Sequence, residues 1–181
     1  RDWSSDVCSS DLAYANADAQ GLSDRPVLTV IDFSKPSTEA RLWTVNLETG
    51  ALLFSDRVAH GIGSNSADDL TMASTFSNVS GSNQSSLGLA RTAETYEGAH
   101  GYSLRVDGLE ASNDQMRSRA IVVHGADYVE DAWVDSHGYA GHSNGCPAVA
   151  QSRSAALIDV VREGTLIFSY YPDDEIGRAH V

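Results

Sequence analysis

What most constrains this chain is a repeated pattern of short apolar runs, rich in β-branched and aromatic residues, each closed by turn formers. Val27–Phe33 is followed by Ser34-Lys35-Pro36, and Arg41–Val45 is separated from Ala51–Ala59 by the turn residues Asn46 to Gly50. The latter two runs predict a hairpin. Tyr102–Val106, Arg119–Val123 and Thr165–Tyr171 are further strand candidates. Helical spacing is found at Ser152–Arg162, where Leu157 and Val161 lie four apart, Ser152 or Ser154 offers a cap and Gly164 follows. Short strands joined by turn-rich loops predict a mainly β domain, two packed sheets with a peripheral helix.

Composition narrows the function classes. A length of 181 residues suits one compact domain, and 41% hydrophobic residues exclude wholesale disorder. With 25 acidic against 12 basic residues, a net charge of −13 and no Lys/Arg run, the chain lacks the clustered positive charge that nucleic acid requires. No apolar stretch reaches the ~20 residues needed to span a bilayer.

The two ends mirror each other at the DNA level. Asp6-Val7-Cys8-Ser9-Ser10-Asp11-Leu12 can be encoded by GACGTGTGCTCTTCCGATCTC, whose reverse complement translates to Glu-Ile-Gly-Arg-Ala-His-Val, residues Glu175 to Val181. Residues 1–12 and 175–181 therefore read as a sequencing adaptor translated at both ends, leaving 13–174 as the expected domain. Without Cys8, Cys146 has no partner for an internal disulfide, and without His180 no histidine follows it. Ala13 to Ala17 is small-residue-rich, as a segment after a signal peptide or a helical lead-in would be.

Two long connections stand out. Gly61–Ser86 holds 8 Ser, 3 Asn and 3 Gly in 26 residues, the composition of a binding loop or of a solvated insertion. The second runs from His124, which follows the apolar Ala120-Ile121-Val122-Val123, through Gly125 to Ser143-Asn144-Gly145-Cys146-Pro147. Thiol catalysis needs a thiolate and a nearby base to take its proton. Gly145 permits a sharp turn that aims successive N–H groups at a developing oxyanion, and Pro147 fixes the chain beyond it.

These residues resemble the L,D-transpeptidase (YkuD-type) signature of a histidine, a connection, then Ser or Thr, His, Gly and Cys. The chain from Val27 to Tyr171 also resembles the murein L,D-transpeptidase branch at Val30-Ile31-Asp32-Phe33-Ser34, Val58-Ala59-His60-Gly61, Phe76-Ser77-Asn78, Ser85-Ser86-Leu87-Gly88, His100-Gly101-Tyr102-Ser103-Leu104 and Gly145-Cys146-Pro147-Ala148-Val149. The resemblance implies an L,D-transpeptidase-like mixed β-sandwich with a peripheral helix. It implies Cys146 as nucleophile, His124 as base and the Gly125 carbonyl as its orienter. Backbone N–H groups of Asn144, Gly145 and Cys146 would form the oxyanion hole, with Ser143 a structural hydrogen bonder. Two departures stand against the pattern: 18 residues separate His124 from Ser143, one more than usual, and Asn144 stands where the motif has His. The implied reaction acts on tetrapeptide stems of peptidoglycan, passes through a thioester with release of D-alanine, gives 3–3 crosslinks and uses no cofactor. The implied location is the cell envelope, periplasmic or secreted, with the signal peptide missing from this stretch of sequence.

Other readings of the same residues remain open. Water as acceptor would make the activity L,D-carboxypeptidase, and the fold without turnover would make a peptidoglycan-binding module. His142, four residues before Cys146, is a second candidate base, and the spacing of His137 and His142 is near that of metal ligands. His60 and His100 each precede a glycine and would orient backbone. A papain-like site would need its histidine after the cysteine. Arg117 or Arg119 could hold a stem-peptide carboxylate or lie on a solvated strand edge. Trp43 and Trp133 read as packing residues, with Trp133 also able to line a groove.

Overall fold

The computed structural model describes residues 14–172. The adaptor-like segments 1–12 and 175–181, with Cys8 and His180, lie outside the described residues. A short helix at 14–19 precedes eight strands: β1 Val27–Asp32, β2 Leu42–Asn46, β3 Leu52–Asp56, β4 Gly88–Gly98, β5 Gly101–Gly108, β6 Val122–Ala126, β7 Ala148–Ala150 and β8 Leu166–Tyr170. Helix α1, Asp131–His137, lies between β6 and β7, and α2, Gln151–Val161, between β7 and β8.

Hydrogen bonding orders the strands β3-β2-β1-β8-β4-β5-β6-β7. β1 pairs with β8 and β6 with β7 in parallel, and the other neighbours are antiparallel. The mainly β class and its peripheral helices are those implied by the sequence, and the expected layers are continuous with one another. The ends of this order nearly meet: Ala59, just beyond edge strand β3, donates its N–H to Ala148 O of edge strand β7 at 2.7 Å. Strand β6 changes partner along its length, with Val122 and Val123 on β5 and His124 to Ala126 on β7.

The core follows from the pleat. Alternate residues from β1, β5, β6 and β8, including Ile31, Leu104, Val106, Val123 and Ile167, meet Leu157, Ile158 and Val161 of α2 in one buried cluster. Each such side chain contributes about 1.5–3 kcal/mol of hydrophobic stabilisation, enough to seat α2 without a strong helix-start signal. Neither serine of α2 caps it through its own side chain; instead Glu130 accepts from Ser152 N at 2.7 Å and Ser152 Oγ at 3.0 Å. At the β2–β3 turn, Asn46 Oδ1 takes the N–H groups of Glu48 and Thr49, both at 3.0 Å.

Candidate active site

The parallel ladder between β6 and β7 sets His124 opposite Ala148. Cys146 precedes Ala148 by two residues, the spacing that returns an extended chain's side chain to the same face. The Cys146 Sγ lies 3.7 Å from Ala120 O and faces the Val122 N–H, placing it against the segment that leads into His124. Cys146 is partly exposed and unpaired.

His124 is 2% exposed, and its Nδ1–H donates to Gly125 O at 2.9 Å. That bond fixes the tautomer: Nε2 is left as the basic nitrogen. The ring of His100, from the β4–β5 turn, stacks on it with centroids 4.2 Å apart and planes 23° apart. Burial lowers the His124 pKa, the Gly125 hydrogen bond opposes that, and His100 lowers it further. Burial also raises the Cys146 pKa, against the opposing pull of the Val122 N–H and the Arg119 cation. Both shifts favour the uncharged forms, so at neutral pH the resting pair is thiol and neutral imidazole.

The Ser143–Cys146 turn is held from within and from the long connection. Ser143 Oγ donates to Cys146 O at 2.7 Å and accepts from Gly145 N at 3.1 Å. Among the described residues, the N–H groups of Asn144 and Cys146 have no acceptor in the protein. Gly145 adopts φ +115°, which side chains rarely tolerate. From the long connection, Ile62 N donates to Ser143 O at 2.8 Å, Ser143 N to His60 O at 3.0 Å, and Gly61 N to Ser85 Oγ at 3.0 Å. A Cβ on Gly61 would stand 2.8 Å from Gly145 Cα, so the two backbones touch. The Gly61–Ser86 connection is thus packed against the Ser143–Cys146 turn, with Ser64, Ala73, Ser85 and Ser86 buried.

Beneath that contact lies an unanticipated polar cluster. Arg41 is 0% exposed; its guanidinium donates twice to Val58 O, once to Lys35 O and once to His60 Nδ1, between 2.7 and 2.9 Å. His60 Nε2–H then donates to Asn65 Oδ1 at 2.8 Å. Burial and the Arg41 charge hold the His60 pKa down to about 3. His142 does not share the His124 environment: its Nε2–H donates to Leu70 O at 3.0 Å and its ring contacts His60 and Tyr139. His137 stacks on Trp133, with its Nδ1 near Trp133 O and Ser136 Oγ. No group of three or more potential metal ligands occurs among the described residues.

The two arginines before β6 separate. Arg117 is tied to Glu94 and Asp107, whereas Arg119 bonds the long connection and lies beside the Ser143–Cys146 turn. Tyr128, also missed in the sequence, has its hydroxyl pushed up to about 12 by burial and the nearby Cys146. Nothing local distinguishes Arg41 or Tyr128, whose partners come from distant segments, and Arg119, expected to hold a carboxylate or lie on a solvated edge, meets 77–86 instead.

The L,D-transpeptidase catalytic domain family matches residues 4–170. Among solved structures, the helical cell shape determining protein Pgp2 from Campylobacter jejuni is similar at 10% identity and TM-score 0.53, covering 91% of this chain and 56% of its own. An Ldtfm-avibactam carbamoyl enzyme is similar at 13% identity and TM-score 0.50, with 83% and 50% covered. An L,D-transpeptidase from Mycobacterium smegmatis is similar at 16% identity and TM-score 0.47, with 81% and 59% covered. The chain therefore spans only half to six-tenths of these structures. No curated protein matches it.

Proposed function

Since the chain belongs to the L,D-transpeptidase catalytic domain family, we propose that it transfers peptidoglycan stem peptides through a thioester on Cys146. The observation that carries this reading is the His124 Nδ1–H bond to Gly125 O, which leaves Nε2 as a base on the strand flanking the thiol. His124 Nε2 takes the thiol proton as sulfur attacks the carbonyl of the L-centre of meso-diaminopimelate in a tetrapeptide stem. The S–C bond forms, the peptide C–N bond breaks, and the imidazolium gives its proton to the leaving D-alanine amine. The side-chain amine of a second stem then attacks the thioester, loses a proton to His124 and releases Cys146, leaving a 3–3 crosslink. The Asn144 and Cys146 N–H groups serve the oxyanion, and Gly145 N–H joins them if it leaves Ser143 Oγ. These steps need no metal or organic cofactor, and the substrate places the protein in the cell envelope, periplasmic or secreted. No helix among the described residues is long and apolar enough to cross a membrane.

Intact-mass analysis after incubation with a carbapenem or a disaccharide-tetrapeptide tests the reading. The wild type is expected to gain a covalent adduct and release crosslinked product with time, while Cys146→Ala gains none. A tripeptide product alone would make water the acceptor, and a wild type that forms neither adduct nor product would overturn the reading.

A further inference from the structure

Arg119 forms hydrogen bonds only with neutral groups. Its Nη1 donates to Ser77 O at 2.7 Å and Ser86 Oγ at 2.6 Å, and its Nη2 to Gln84 O at 2.6 Å and Ser82 Oγ at 3.4 Å. Two residues earlier, Arg117 is neutralised by Glu94 and Asp107, so the contrast lies in the surroundings. Among the described residues no carboxylate pairs with Arg119, and its positive charge stays uncompensated. Its position is equally specific. A Cβ on Gly145 would lie 3.3 Å from Arg119 Nη2 and 2.6 Å from Gln84 O, so the guanidinium sits directly behind the turn that presents Cys146. The carbonyl of the next residue, Ala120, lies 3.7 Å from Sγ.

We infer that Arg119 is a positioning residue of the transferase site: anchored by 77–86, its guanidinium is held behind the Cys146 turn as the fixed positive charge against which the Cys146 thiolate forms. The inference rests on the proposed role of Cys146. Charged and titratable groups facing the thiol come from each neighbouring segment: Arg119 before β6, His124 within it, and Tyr128 after it. Tyr128 is neutral at pH 7 and His124 is held neutral, so Arg119 is the standing cation. The sign follows: a cation beside a thiol favours its charged form, so Arg119 opposes the rise that burial imposes on Cys146. The four hydrogen bonds alone would give Arg119 a purely structural role, and the two roles separate experimentally.

The pH dependence of Cys146 alkylation by iodoacetamide reads thiolate formation without requiring transfer activity, so its outcome is independent of whether stems are crosslinked. Arg119→Gln keeps amide donors and removes the charge. Its alkylation midpoint is expected to rise by about one pH unit, slowing the reaction near neutrality ~10-fold. Arg119→Lys keeps the charge and loses most of the hydrogen bonds, and Ser86→Ala loosens the same loop with the charge intact. Both are expected to keep a midpoint near that of the wild type even where their melting temperature falls. An unchanged midpoint in Arg119→Gln, or a midpoint raised as far in Arg119→Lys, overturns the inference. Should Arg119→Gln not fold, Arg119→Met takes its place with the same two outcomes, and a rise of a unit in Arg119→Lys or Ser86→Ala, which both keep the charge, overturns the inference.

Discussion

His124 and Cys146 are shifted in opposite directions by the same burial, the base downwards and the thiol upwards. Proton transfer must therefore accompany attack, and the rate depends on His124 being neutral. A lowered pKa keeps the imidazole neutral below the ordinary histidine value of ~6.5, so the acid limb of carbapenem acylation should have its midpoint below that value. Removing the stacked ring in His100→Ala both admits water to His124 and removes a neighbouring imidazole; both effects raise the base, and the limb should move up. Stopped-flow acylation across pH 4–8 checks this, and a wild-type limb above pH 6.5 would contradict it. In the same assay His124→Ala should lose ~10²–10⁴-fold, with His142→Ala within a few-fold of wild type, because Leu70 O holds the His142 Nε2–H. The opposite order would move the base to His142. His124 and Cys146 were legible because each ends a local pattern, a buried apolar run and a Gly-containing turn. Arg119 was singled out only as a carboxylate holder or a solvated edge residue; its place behind the Cys146 turn was not legible, because its partners lie 33 to 42 positions away and its charge says nothing of which carbonyls will meet it.

At the scale of elements, the strands that form apolar runs closed by turn residues were readable, and β4 and β7 were not. β4, the longest, carries a register shift between Thr92 and Thr95 that resets which residues face inwards. β7 has three residues, all buried, which leaves no period to detect. The start of β6 was misplaced: Arg119 and Ala120 belong to the preceding turn, where Ala120 has φ +56°, and the strand continues through His124 to Ala126. The Gly61–Ser86 connection shows a similar limit, since its serines look solvated until their backbone partners are known. Because Gly61 touches the Gly145 backbone, Gly61→Ala forces one of two rigid segments to move. Overpacking of this kind costs about 1–3 kcal/mol, read as a lower urea midpoint. A new Cβ meets Asn83 O as well as the Gly145 backbone, and where the Ser143–Cys146 turn is the part that yields, acylation of the folded protein should also slow by ~10-fold or more. A variant that loses stability but acylates at the wild-type rate would show that the contact braces the fold alone.

Across the whole molecule, sheet closure and catalytic geometry depend on the same buried polar groups. Residues 58–62 carry the Ala59–Ala148 bridge and the contacts to Ser143, and Arg41 and His60 pin them from below. His60, His124 and His142 all have lowered pKa values, His60 down to about 3, each led by burial. In the unfolded chain they titrate near 6.5. For a depressed histidine, stability is complete above the unfolded pKa and declines as pH falls towards the folded one, because the unfolded state then binds more protons. The urea midpoint should therefore start to fall near pH 6.5, above the ordinary carboxylate range of ~4, with a linkage slope approaching three protons at most. The net charge of −13 works the other way, since proton uptake relieves self-repulsion in the compact state. A fall between pH 7 and 5 thus identifies the buried histidines as its source. His60→Gln retains an acceptor for Arg41 and a donor for Asn65 without titrating, and should reduce the slope by up to one proton while leaving the urea m-value unchanged. Stability that is flat from pH 7 to 5 in the wild type, or a slope untouched by His60→Gln, would show that protons reach these rings without unfolding the sheet.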